Sequence, residues 1–345
     1  MLYCETLPKR PTFREVARLA GVSPATVSRV AQDNPRVDAE IRNRVKAAAA
    51  RLGIGLDERR AESHRMLAFL LSNRDVLHTF QARVLVGAEN FCSSRNWELV
   101  FLCFRYTAGL APGELHLPQT LLRRSVARAA ILAGVNHPNL LAALRERGIP
   151  FAVLGNNIAG GWRPEECDVV YSNEIQGACE LTRHLLAQGH RHIWFVGNLE
   201  LPWFARGARG YECAMREAGL EPRIGQIHSD GQELGYLATK SILGGGEPAT
   251  AIFAGSDQVA RGVYTALRES GIRVPGGMSV VGCNDTEAPL FEPALTSVRE
   301  FPEELGRHLA DFALRRIETP DLPPQQVTIP TQVVIRESVQ TLRED

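Results

Sequence analysis

The 345-residue chain contains no run of 18 apolar residues, so a helical membrane span is excluded. Its first residues, Met-Leu-Tyr-Cys-Glu-Thr-Leu-Pro-Lys-Arg, hold no apolar stretch, and no secretory signal is expected there. Seven cysteines (Cys4, Cys92, Cys103, Cys167, Cys179, Cys213, Cys283) are scattered, odd in number and never spaced C-x-x-C. They fit reduced residues of a cytoplasmic protein better than a disulfide frame or a zinc site. Catalytic signatures are missing as well. Gly244-Gly245-Gly246 lacks the Lys-Ser/Thr of a phosphate loop, and Ser256 stands outside any G-x-S-x-G. His190 and His192 form an H-x-H with no evident carboxylate or thiol partner. No metal, no cofactor and no enzymatic activity are expected.

Charge of one sign is not in excess, since 39 Lys+Arg face 39 Asp+Glu. That neutrality is uneven. Residues 1–65 hold 13 Lys+Arg against 8 Asp+Glu, and the remaining 280 hold 26 against 31. A basic head on an acidic body is the pattern expected when one end meets phosphate.

The head has a definite layout. Thr12 and Glu15 make a T-x-x-E capping box at the start of a short helix. Val16, Leu19 and Ala20 give it an apolar stripe, and Gly21 can end it in the left-handed conformation. Ser23 caps a second helix with Pro24 in its first position. Val27, Val30 and Ala31 face back, leaving Thr26, Ser28, Arg29 and Gln32 outward. Asp38 caps a third helix with Ile41, Val45, Ala48 and Leu52 at helical spacing, and Gly53 ends it. Two helices joined by a tight turn, the second with a small, polar and basic outer face, read as a helix-turn-helix that enters the DNA major groove.

From residue 66 short apolar runs alternate with amphipathic helices. The runs are 66–71, 99–104, 129–133, 151–154, 193–196, 251–254 and 279–283; helices are expected near 80–95, 138–147, 174–188, 207–218, 232–243 and 257–270. This alternation predicts parallel sheets flanked by helices, and the number of units favours two consecutive α/β domains. The Gly- and Pro-containing segment 155–164 is the expected crossing, with a ligand cleft beyond the strands' carboxyl ends.

The stretch from Thr12 to Val30 resembles the headpiece of the LacI/GalR family of bacterial transcription regulators. Gly189-His190-Arg191-His192-Ile193, Gly210-Tyr211, Thr250-Ala251-Ile252-Phe253-Ala254, Gly271-Ile272-Arg273-Val274-Pro275, Ser279-Val280-Val281-Gly282 and Leu295-Thr296-Ser297-Val298-Arg299 extend the resemblance in family order. It implies a homodimer with a helix-turn-helix headpiece and two Rossmann-like parallel-sheet α/β subdomains, similar to periplasmic sugar-binding proteins. The expected parts are a headpiece at 1–55, a linker at 56–66, a first subdomain at 67–158 and 294–323, and a second at 159–293 and 324–340. The chain would cross between subdomains near 158, 293 and 324.

The resemblance also implies roles. Pro24, Ala25 and Arg29 take the base-reading positions, where Arg29 suits a bidentate contact to guanine and Ala25 an apolar contact. Ser23, Thr26, Ser28 and Gln32 suit phosphate. In the linker the chain departs from the family. Ser63 stands at the minor-groove wedge position, Leu56 at the usual Pro, and Arg60 where a small residue is usual. A weaker kink in the DNA is expected.

The cleft departs too. Gly207 holds the position of the family's effector-binding Arg, with Arg206 and Arg209 beside it. Ser256-Asp257 replaces an Asn-Asp pair, and Asn284 replaces an Asp. Trp203 and Phe80 are expected to offer ring faces, with Asp230 and Asn136 as further lining residues. The reading is therefore a DNA-binding regulator controlled by a sugar-like small molecule. The alternative is a cytoplasmic sugar-binding module or carbohydrate-active protein without DNA-directed function.

Overall fold

The computed structural model describes residues 12–31, 37–54, 65–74, 77–123, 126–161 and 166–342. Contacts divide the chain into two compact units, Met1–Arg65 and Met66–Asp345.

In the first unit three helices, α1 (Phe13–Ala20), α2 (Pro24–Ala31) and α3 (Ala39–Arg51), close on one small core. The Glu15 carboxylate accepts from the Thr12 amide at 2.6 Å and from its hydroxyl at 3.1 Å, which fixes the α1 start. The Glu15 amide also bonds the Thr12 carbonyl at 3.0 Å, and Thr12 and Glu15 form the expected capping box. Gly21 ends α1 at φ 64°, and Arg44 donates to the Ala20 carbonyl at 2.6 Å, satisfying an end that α1 alone leaves open. Ser23 Oγ accepts from the Thr26 amide, and Asp38 accepts from Glu40 and Ile41. Val16, Ala17, Ala20, Val27, Val30, Val45, Ala48 and Ala49 are buried together. Leu19 is a correction: it is 43% exposed, and Ala17 takes the inward place. A turn of eight residues has room for one narrow stripe, and the close α1–α2 approach admits alanine there. Gln32 lies outside the described residues, as does the linker with Leu56, Arg60 and Ser63.

The second unit holds two six-stranded sheets. The first runs β11–β5–β4–β3–β1–β2 and is parallel throughout, from β1 (Met66–Ser72), β2 (Glu98–Phe104), β3 (Ala129–Leu132), β4 (Phe151–Leu154), β5 (Asp168–Ser172) and β11 (Gln326–Ile329). The second runs β12–β10–β9–β8–β6–β7, from β6 (Ile193–Val196), β7 (Arg223–Gly225), β8 (Ala251–Ala254), β9 (Ser279–Asn284), β10 (Thr296–Arg299) and β12 (Gln332–Val334). Only β12 is antiparallel to its neighbour. Central strands such as β3, β4 and β8 are buried at every position, as parallel strands covered on both faces must be.

Helices α4 (Thr79–Ser93), α5 (Pro138–Glu146) and α10 (Pro302–Glu318) cover the first sheet; α6 (Glu174–Ala187), α7 (Pro202–Glu217), α8 (Gly231–Gly244) and α9 (Asp257–Glu269) cover the second. Helices α4 and α10 touch through glycines. A Cβ on Gly306 would lie 1.9 Å from the Val84 carbonyl oxygen, and one on Gly87 2.0 Å from that of Glu303.

The sheet order corrects the expected crossings. Strand β5 belongs to the first sheet, so the chain leaves that subdomain after Ser172 instead of near 158. The Gly-containing segment that suggested a linker is tied down by Asn157 Nδ2 to the Ala133 carbonyl (2.8 Å) and by an Asn136–Ile158 bridge. Strand β10 pairs with β9, which moves the return crossing past Arg299 from the expected 293. Strand β11 pairs with β5 and β12 with β10, so the last crossing falls between Ile329 and Gln332 instead of at 324.

Candidate functional site

The outer edge of α2 is the first candidate surface. Ser23, Pro24, Ala25 and Arg29 are exposed, while Thr26 and Ser28 are half-buried. The Ser23 and Thr26 hydroxyls lie 2.9 Å apart, so each already holds one partner. Val27 and Val30 anchor the opposite side of α2 in the core, and their burial forces Arg29 outward. Arg14, Arg18, Lys46 and Arg51 are exposed on the other two helices.

The second candidate is a cavity between the two sheets of the larger unit, at the carboxyl ends of their strands. Phe80, Trp203, Asp230, Ser256, Asp257 and Asn284 all line it. Three expected residues do not. Asn136 is fully buried inside the first subdomain, where Oδ1 accepts from Ser72 Oγ (2.6 Å) and Nδ2 donates to the Gly134 carbonyl (3.0 Å). Arg209 points to solvent from α7, because its neighbours Ala208 and Gly210 occupy the buried side of that turn. Arg206 reaches the cavity only through Glu174, whose carboxylate it binds as an ion pair.

Sequence reasoning missed the residues at the cavity floor. Glu174 and Glu300 are 3% and 5% exposed and lie two residues beyond β5 and one beyond β10, at the ends where strands deliver side chains into such a cleft. Burial raises the Glu174 carboxyl, and Arg206 opposes that rise. Burial, with the Glu174 charge beside it, pushes Glu300 up to about 7. Its carboxylate accepts from Asn284 Nδ2 (2.8 Å) and Cys283 Sγ (3.2 Å). Asp257 is held at about 6 by burial, against the bonds its Oδ2 receives from the amides of Thr286 (2.7 Å) and Glu287 (2.8 Å). Its Oδ1 is buried without a partner, as is Gln81 Oε1 in the same cavity. Local sequence held no clear signal for Glu300, because β10 reads Thr-Ser-Val-Arg and is not an apolar run.

The cleft mouth is bridged by contacts between the two subdomains. Arg74 Nη2 donates to Asp230 Oδ2 at 2.9 Å, and its guanidinium stands 4.6 Å from the centroid of a Trp203 ring. Thr79 Oγ1 donates to Glu287, and Arg83 donates to the Thr286 carbonyl at 3.4 Å. His78 lies 3.8 Å from Asp230; burial, then the Arg74 charge, lower its pKa. Trp203 therefore meets an arginine of the opposite half as well as the cavity.

Residues 12–53 match the model of bacterial regulatory proteins of the lacI family, and residues 182–339 match a periplasmic binding protein-like domain. The repressor PurR of Edwardsiella ictaluri is 30% identical, the match covering 95% of this chain and 96% of that protein. The chain belongs to the LacI family. A ribose operon repressor of Haemophilus influenzae is 29% identical over 96% of the regulator and 99% of its relative. The solved complex of the transcriptional regulator CelR with cellobiose superposes with a TM-score of 0.68 at 27% identity, covering 95% of this chain and 100% of that one. The protein is thus a DNA-binding transcriptional regulator of the kind modulated by small molecules. Among the described residues no helix is long and apolar enough to cross a membrane. The six described cysteines are free thiols.

Proposed function

We propose that this regulator binds a pseudo-palindromic operator as a homodimer and reads it with the exposed edge of α2. Arg29 contacts a guanine edge, Ala25 makes an apolar base contact, and Pro24 sets the close approach of the helix start. Ser23, Thr26, Ser28 and Gln32 hold phosphates and fix register. Supporting this assignment is the exposure of Arg29 and Ala25 on a helix whose other side is locked by Val27 and Val30. A dimer matches the two-fold symmetry of a palindromic site.

The cavity takes the effector, a small sugar-like molecule held among Phe80, Trp203, Asp230, Ser256, Asp257 and Asn284. The observation that carries this reading is the pair of buried acceptors without partners, Gln81 Oε1 and Asp257 Oδ1, since such atoms are costly unless something bonds them. Relatives named for ribose and cellobiose support the sugar class. Effector binding alters the balance between open and closed cleft by its differential affinity for the two. The regulator is proposed to act in the cytoplasm and to catalyse nothing.

Selection of bound sites from random DNA, with and without a panel of sugars, tests both halves. A recovered palindrome whose recovery changes with a sugar is expected. No retained DNA at low salt defeats the operator reading, and an unchanged palindrome with every sugar defeats the effector reading. Ligand-dependent quenching of tryptophan emission, lost in Trp203→Phe, is the direct check on the cavity.

A further inference from the structure

The cavity is acidic, with Glu174, Asp257 and Glu300 on its wall. Glu174, Asp257 and Glu300 are all at least nine-tenths buried. Arg206 neutralises Glu174 alone, and Arg74 is engaged at the mouth by Asp230. Among the described residues neither Asp257 nor Glu300 has an ion-pair partner. The neighbouring asparagine amides each already donate one bond. Asn156 Nδ2 bonds the Ser172 carbonyl (3.0 Å), Asn157 Nδ2 the Ala133 carbonyl, and Asn284 Nδ2 bonds Glu300 itself. Gln258 Nε2 donates to Glu287 at 2.8 Å. What remains open is Asp257 Oδ1 and the Gln81 amide. Gly207, also on the wall, brings no charge, although a Cβ there would stand 3.6 Å from the Phe195 ring with no clash.

We propose that the effector is an amino sugar, its protonated amine directed at Asp257, Glu300 and the Gln81 carbonyl oxygen. This rests on the reading of the cavity as the effector site and names the class of molecule it takes. A buried carboxylate without a counter-charge favours a cation strongly, because desolvation is offset only when the charge is paired. An ammonium supplies positive charge together with several donors, which suits a wall whose carboxylates Asp257 and Glu300 have no counter-charge. A phosphate or carboxylate ligand would meet like charge.

The groups facing Glu300 are Ser172 at the end of β5, Glu174 from the start of α6, and Cys283 and Asn284 from β9, with Arg206 behind Glu174 and Asp257 on the far side of Cys283. Cation binding favours the carboxylate form of Glu300, so binding releases a proton near neutral pH. Affinity then rises as pH rises from 6 to 7, where an amino sugar remains largely protonated.

The test is isothermal titration calorimetry on the full chain at pH 7. Glucosamine, galactosamine and mannosamine are compared with their N-acetyl forms and with glucose, galactose and mannose. At least one free amine is expected to bind tenfold or more tightly than its two neutral counterparts. Proton release should appear as a dependence of the heat on the buffer. Glu300→Gln and, separately, Asp257→Asn should each cut the preference for the amine several-fold. Neutral sugars binding as well as their amines overturns the proposal and leaves the effector reading standing. A preference unchanged in both variants also overturns it. Silence from every sugar overturns both readings.

Discussion

The Arg74 guanidinium stands 4.6 Å from a Trp203 ring centroid while donating to Asp230 at 2.9 Å. One side chain of the first subdomain thereby holds two residues of the second. The Arg74 side chain is 8% exposed, so its ring contact belongs to the stronger range for cation–π pairs, about 1–2 kcal/mol. Arg74→Ala is expected to lower the melting temperature by roughly 2–6 °C. Arg74→Lys keeps the charge but not the planar stack, and should recover only part of that loss. Calorimetry of the two variants checks this; full recovery by lysine would show that the ring contact contributes nothing.

Reading DNA through one exposed arginine has a sharp signature. Arg29→Ala should weaken the preferred operator by about 1–3 kcal/mol and relax discrimination at a single base pair in each half-site. A phosphate residue behaves differently: Ser28→Ala should weaken all sequences alike. Binding measured on operators substituted one pair at a time separates the two patterns. Uniform weakening by Arg29→Ala would return that residue to the phosphate group.

Helices α4 and α10 approach so closely at Gly87 and Gly306 that backbone meets backbone. A methyl group on Gly306 would fall 1.9 Å from a carbonyl oxygen that cannot swing aside as a side chain does. Gly306→Ala is expected to destabilise the larger unit by about 1–3 kcal/mol or more through overpacking. Gly109→Ala, where a Cβ meets nothing within 4 Å, is the matched control and should change little. Equal melting temperatures for both variants would contradict the close crossing.

The raised carboxyl of Glu300 also bears on stability. Folded, it holds its proton up to about 7, against an ordinary value of 4.5. Between those pH values the folded state binds more protons than the unfolded chain, so stability falls as pH rises through the window. Asp257, held at about 6, acts in the same direction. Glu300→Gln removes the ionisation and should stabilise the protein at pH 8 by on the order of 1–3 kcal/mol, with little effect at pH 4.5. Urea unfolding at the two pH values measures the difference. A gain at pH 4.5 equal to that at pH 8 would mean that packing, not charge, is responsible.

Strands covered on both faces were legible where burial is met by an apolar run, as in Phe-Ala-Val-Leu of β4, but not in β5 and β10, whose buried positions include Asp168, Ser172, Thr296 and Ser297. Of the edge strands only β2 was legible. Arg-Ile-Gly of β7, Gln-Val-Thr-Ile of β11 and Gln-Val-Val of β12 are only partly buried, and their alternating or polar character resembles loop. Missing β5, β10 and β11 displaced every crossing by several residues. At the head the helix caps were legible, since Ser23 and Asp38 act within their own turn. Cavity residues were half legible. Trp203 and Asp257 lie where motif spacing put them, whereas Glu174 and Glu300 come together only through the order of strands, which local sequence does not encode. Asn136 shows the opposite error: a polar residue after a strand whose amide serves its own subdomain.

The crossings after β5 and β10 carry Glu174 and Glu300 within a residue or two of the point where the chain changes subdomain. At the second of them Phe301 adopts a left-handed φ of 53°. The two acids at the bottom of the cavity therefore stand at the joints between the subdomains. Under the proposed opening and closing of the cleft, a change of charge there acts directly on the joint, and no separate relay from pocket to joint is required.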